Sequence, residues 1–159
     1  MSRSTFSGPV KSGTNRYAPY KNTGTLVTTQ STAFAFTAAG TTTNTLYIPA
    51  ASKILTITFD TTSAFTGGTG AVTVGNVASG TQYASSTTVT SGGRATPTFT
   101  AAQLTNMLST PVDVSATNGN GASSTIAVTA VAGTGVTAGS LVVTITYIQS
   151  DDRSAYSDQ

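Results

Sequence analysis

The chain has 159 residues, and histidine, cysteine, tryptophan and glutamate are all missing from it. Only 8% of the residues are charged, whereas 35 threonines, 19 serines, 21 alanines and 16 glycines together make up more than half of the chain. The usual general base at neutral pH and every thiolate nucleophile, disulfide or thiolate metal site are thereby excluded, which argues against a conventional enzyme.

In chain order, residues 1–23 read as an extended basic arm. Gly8-Pro9, Gly13, Pro19 and Gly24 break any helix. Arg3, Lys11, Arg16 and Lys21 give four positive charges with no acid among them. No apolar run in the first residues suits a signal peptide, and no run anywhere approaches the roughly 18 apolar residues of a membrane span.

Residues 24–150 read as one β domain, because Thr, Val, Ile, Phe and Tyr dominate its apolar and branched positions. Strands are expected at 26–37, 45–48, 53–59, 71–77, 81–90, 112–117, 124–131 and 141–148. Phe34 and Phe36 alternate in the first of these. Leu55, Ile57 and Phe59 are expected to share one face of the third, opposite Ile54, Thr56 and Thr58. Val72 and Val74, Ile126 and Val128, and the series Leu141, Val143, Ile145 and Tyr147 mark inner faces of later strands. Asn118-Gly119-Asn120-Gly121 has the composition of a tight hairpin turn.

One helix is expected near 100–109. Thr100 and Gln103 have capping-box spacing, and Phe99 and Leu104 sit at hydrophobic-staple positions. Ala101, Leu104, Met107 and Leu108 would form its apolar face, and Pro111 would stop it. Short strands separated by glycine-rich turns, with one helix, point to an all-β sandwich. A jelly roll is the first choice of topology and an immunoglobulin-like sandwich the second.

Residues 151–159 form a polar, acidic tail with Asp151, Asp152, Arg153 and Asp158. Between residues 22 and 149 the charges are only Lys53, Asp60, Arg94 and Asp113. Asp60 and Asp113 are expected to cap turns or to pair with Lys53 or Arg94. The tail aspartates lack the loop pattern of a calcium site. The glycine clusters at 67–75 and 133–139 lack the spacing of phosphate-binding loops and read as turns. No catalytic, cofactor or metal site is expected. So few charges in 128 residues fit a surface kept wet by hydroxyls or one covered by other subunits.

The opening Thr5-Phe6-Ser7-Gly8-Pro9-Val10-Lys11-Ser12-Gly13 resembles the start of small structural proteins of tailed phages, particularly marine podovirus-like ones. The Thr/Ala/Gly-rich β body is similar in style to phage head-decoration and fibre proteins. The resemblance implies a capsid decoration (cement) protein on the outer face of the major capsid lattice, often trimeric. Such a protein is made in the host bacterial cytoplasm and ends in the virion. Its expected capsid contacts are the arm residues Arg3, Phe6, Lys11, Arg16, Tyr17, Tyr20 and Lys21. Nucleic acid is a weaker expectation, because four cations over the arm are sparse and no basic patch in the body reinforces them. A receptor- or glycan-binding fibre module is the alternative, with Tyr83 and the 118–121 turn as contacts. A tail or neck component is a further one.

Overall fold

The computed structural model describes residues 26–49, 52–108 and 123–149. They form eight strands and one helix: β1 (Leu26–Phe36), β2 (Gly40–Pro49), β3 (Lys53–Thr66), β4 (Gly70–Gly75), β5 (Ala84–Thr88), β6 (Gly93–Ala95), α1 (Ala101–Leu108), β7 (Ser123–Ala132) and β8 (Ala138–Gln149). The expected arm, tail, 112–117 strand and 118–121 turn, with Asp113, lie outside the described residues.

The strands make two four-stranded sheets, ordered β1-β8-β3-β6 and β2-β7-β4-β5, and every strand pair is antiparallel. The pairing follows one long hairpin folded at the β4–β5 connection: β4 with β5, β3 with β6, β2 with β7, β1 with β8. Rolling that ribbon sets β8 beside β3 and β7 beside β4, which is the two-Greek-key order of a jelly roll. The immunoglobulin-like alternative has a different strand order.

One core fills the space between the sheets. Leu141, Val143, Ile145 and Tyr147 project into it from β8, as their alternation predicts, and meet Val72, Val74, Ile126 and Val128 of the other sheet. Burying each aliphatic side chain is worth about 1.5–3 kcal/mol relative to exposure. Phe36 and Phe65 stack at 6.0 Å between ring centroids, tilted by 43°. Gly70 and Gly139 make room for the Phe65 ring, since a β-carbon on either would fall within 2.7 Å of it.

β3 departs from simple alternation. The register against β8 slips between Ile54 and Thr56, so Leu55 is an extra residue. Ile54, Ile57 and Phe59 are all buried and Leu55 is exposed, which reverses the faces expected for Ile54 and Leu55. A bulge of this kind inserts one residue and resets the pleat beyond it. β2 and β3 also run longer than their apolar cores, because Thr-rich extensions pair as well as the apolar segments do. β6 has only three residues and no apolar periodicity to announce it.

α1 begins with the expected capping box: Thr100 N–H donates to Gln103 Oε1 at 2.9 Å, and Gln103 N–H donates to Thr100 Oγ1 at 3.2 Å. Its buried face is not the expected one. Gln103 and Met107 are buried, whereas Leu104 and Leu108 are 47% and 61% exposed. Polar bonds made by the buried face set this rotation. Gln103 Nε2 donates to Thr81 O at 2.9 Å and Ser85 Oγ at 2.8 Å, and Asn106 Nδ2 donates to Gln82 O at 3.1 Å. The helix is thereby fastened to the start of β5.

Candidate functional surfaces

The glycine clusters serve structure. The β3–β4 and β7–β8 turns interlock at one end of the sandwich, with Gly67 and Gly135 at φ +80° and +87°. Gly133 N–H donates to Thr69 O at 2.8 Å, and Thr137 N–H to Thr66 O at 2.9 Å. The N–H groups of Gly133 and Thr137 thus bond the facing turn, and Val136 N–H bonds Gly133 O within its own turn, so these three are not free to cradle an anion.

The outward face of the β1-β8-β3 sheet is built from hydroxyls. Register places Thr29, Thr146 and Thr56 in one row, and Ser31, Thr144 and Thr58 in the next. Ser31 and Thr144 share a hydroxyl bond of 2.9 Å, and Thr62 and Ser140 one of 2.8 Å. At one end this face turns apolar: Val27 is 57% exposed, Leu55 is exposed and Ile148 half-buried, with Lys53 beside them. Hydroxyls that bond across strands and also show methyl groups can be wetted or covered without stripping water from a charge.

Charge is scarce. Among the described residues the ionised side chains are Lys53, Asp60 and Arg94, a net of +1. Asp60 and Arg94 face each other across the β3–β6 pairing. Arg94 Nε donates to Asp60 Oδ1 at 2.6 Å and Nη2 to Oδ2 at 3.0 Å, so one of the expected pairings of Asp60 is made. The guanidinium bond holds the Asp60 carboxyl below its usual 3.8 and raises Arg94 further. Both carboxylate oxygens are engaged by the fork, which favours the ionised acceptor over a proton carrier.

Beside this pair lies an open cleft of about 300 Å³ between the end of β5, the Ser91–Gly92 turn and β6. Thr61 Oγ1 donates to Val89 O at 3.1 Å on its floor. Thr90 Oγ1 in its wall is buried without a hydrogen-bond partner. The lining is hydroxyl, backbone, the apolar residues Val89 and Ala95, and one guanidinium already bound to Asp60.

Comparison with known protein families, with curated proteins and with solved structures finds no match.

The residues expected at a site divide as follows. Arg3, Phe6, Lys11, Arg16, Tyr17, Tyr20 and Lys21, with the tail aspartates, lie outside the described residues. Tyr83 is a core residue, 5% exposed, with its phenol raised above 10 by burial, so it does not present a ring to a sugar. Its neighbour Ala84 is fully buried with it, and the Thr-rich sequence around them gave no sign of an inward turn. Among the described residues the exposed aromatic is Tyr47, at 61%. Its position follows from the sequence, since Leu46 and Ile48 flank it and alternation sends it outward. Among the described residues no three or more Asp, Glu, His or Cys side chains gather as a metal site, and no helix is long and apolar enough to cross a membrane.

Proposed function

We propose that the chain is a non-enzymatic structural protein of a virion, a head-decoration protein bound as a homo-oligomer on the outer surface of a capsid lattice. The observation that carries this reading is the jelly-roll body itself, among whose described residues the only ion pair is internal and the one other charge is Lys53. The phage-like opening at residues 5–13 and the cationic run over residues 3–21 support it. Jelly rolls occur in viral capsid and lectin domains alike, so the fold supports the reading by analogy only.

The physical logic is that of a cement. A protein that binds the assembled lattice and not its free subunits stabilises assembly by mass action. Wide, uncharged, hydroxyl-lined faces dock without desolvating ions, while a cationic arm reaches a neighbouring acidic surface. Several arms on one oligomer raise the effective concentration of each. The fibre or glycan-binding alternative loses Tyr83, which is buried, and keeps the 118–121 turn as its contact.

The deciding experiment removes residues 2–21 and measures occupancy on purified capsid particles. The β domain is expected to stay folded while particle binding is lost. Unchanged occupancy overturns the arm-docked decoration reading, and specific glycan binding lost on changing 118–121 replaces it with the adhesin one.

A further inference from the structure

Two open sheets leave four edge strands: β1 and β6 in one sheet, β2 and β5 in the other. An edge offers a row of unpaired N–H and C=O groups to any passing strand, and folded proteins blunt it with shortness, charge, bulges or a covering helix. Two edges here are blunted. β6 has three residues and carries Arg94, tied to Asp60. β5 has five residues, and α1 is fastened to its start through Gln103 and Asn106.

Nothing among the described residues blunts the other two. β1 has eleven residues and β2 ten, neither holds a charged residue, and the single proline, Pro49, ends β2. Their ladders with β8 and β7 run without a bulge, whereas the β3–β8 and β4–β5 ladders slip register. Both long edges lie on the same side of the sandwich. Gln30 Nε2 donates to Tyr47 O at 2.7 Å, and Asn44 Nδ2 donates to Thr32 Oγ1 at 2.8 Å and Ala33 O at 3.3 Å. Those bonds set the two edges side by side and antiparallel. They also show that Tyr47 and Ala33 turn their carbonyls away from their ladder partners. Alternation then turns the backbone groups of Thr29, Ser31 and Ala35 outward in β1, and those of Thr41, Thr43 and Thr45 in β2.

We infer that this side of the sandwich is an interface with a second copy of the chain. β1 pairs antiparallel with the partner's β1 about a two-fold axis normal to the sheets, and the same axis brings β2 against the partner's β2. A two-fold axis sets each central residue against its own copy, so a charge there would meet itself. β1 and β2 hold none, and the described charges sit on β3 and β6. Self-pairing therefore meets no repulsion, and each four-stranded sheet continues into its counterpart.

The test uses the full chain and measures its mass by light scattering and sedimentation over a range of concentrations, with amide exchange at Thr29, Ser31 and Ala35. Ser31→Pro removes an outward N–H that the β1–β8 ladder does not use. Ser31→Lys sets like charges across the axis and serves if the proline variant fails to fold. The wild type is expected to be a dimer with slowly exchanging edge amides. Each variant is expected to keep its β spectrum while its dissociation constant rises about tenfold or more. A wild-type monomer with rapidly exchanging edge amides overturns the inference, as does a three-fold assembly or a variant that dimerises as before. A monomer with protected edge amides also overturns it, and assigns the edge to another segment of the same chain.

Discussion

Gly67 and Gly135 meet backbone to backbone where the β3–β4 and β7–β8 turns interlock. A β-carbon on Gly135 would lie 2.5 Å from Gly67 O, and one on Gly67 would stand closer still to Gly135 O. Both residues hold a positive φ. Gly135→Ala is therefore expected to cost at least the about 1–3 kcal/mol of left-handed backbone strain, with the steric clash added. Gly40→Ala is the control, because no atom lies within 4 Å of its missing β-carbon. Urea unfolding of the two variants should separate them clearly, with Gly40→Ala close to wild type.

Thr100→Ala should remove the cap of α1 and cost about 1 kcal/mol. Gln103→Ala should cost more, because it ends the reciprocal cap and also leaves Thr81 O and Ser85 Oγ without their donor. Thr81 and Ser85 are both exposed, so water can take the donor's place and each lost bond costs about 0.5–1.5 kcal/mol. Amide exchange should quicken in α1 for both variants, and in the 81–85 segment for Gln103→Ala alone. Equal effects of the two variants on 81–85 would show that the cap, and not the amide's reach to β5, holds the helix down.

These two regions mark how far the sequence could be read. Strict alternation placed Leu141, Val143, Ile145 and Tyr147 correctly, since a strand buried on one face leaves its period in the sequence. The capping box was legible for the same reason, being a local pattern of fixed spacing. The rotation of α1 was not, because a glutamine that satisfies backbone and hydroxyl partners on β5 overrides an apolar stripe of two leucines. Nor was the inversion at Leu55, since a bulge arises from pairing with β8 and leaves no composition signal. Tyr83 illustrates the same limit for the candidate site. An aromatic residue among threonines reads as a surface contact until the tertiary fold turns it inward.

The Asp60–Arg94 clamp predicts a small acid dependence of stability. The folded-state carboxyl is held below 3.8, so the unfolded chain binds the proton more readily. The stability it contributes is present above the unfolded value of about 3.9 and is lost as pH falls through the lower folded value. The pair is solvent-exposed, with the Arg94 side chain at 68%, so Arg94→Ala should shift the midpoint only slightly at neutral pH. Denaturation midpoints of wild type and Arg94→Ala between neutrality and about pH 3 should converge as the acid is protonated. A difference that grows toward low pH would contradict the assignment.

Thr129 points outward from β7 yet is only 1% exposed, because the connection between β4 and β5 folds over it. Its Oγ1 accepts from Ser79 N–H at 2.8 Å and lies 2.9 Å from Thr43 Oγ1. Ser79 stands at φ 58°, a left-handed conformation that a non-glycine residue pays about 1–2 kcal/mol to adopt. The threonine hydroxyl offsets that strain by anchoring the turn. Thr129→Val keeps the shape and removes the acceptor, so stability should fall by about 1 kcal/mol or somewhat more. Ser79→Gly relieves the strain and leaves the acceptor in place, so it should hold or raise stability. Combining the two should recover part of the loss. Amide exchange at Ser79 is the sensitive reading, because it should accelerate in Thr129→Val by more than the global change in stability accounts for. If Ser79 exchanges at the wild-type rate in that variant, the turn is held by its own backbone bond from Gly80 N–H to Val77 O, and the Thr129 hydroxyl does not anchor it.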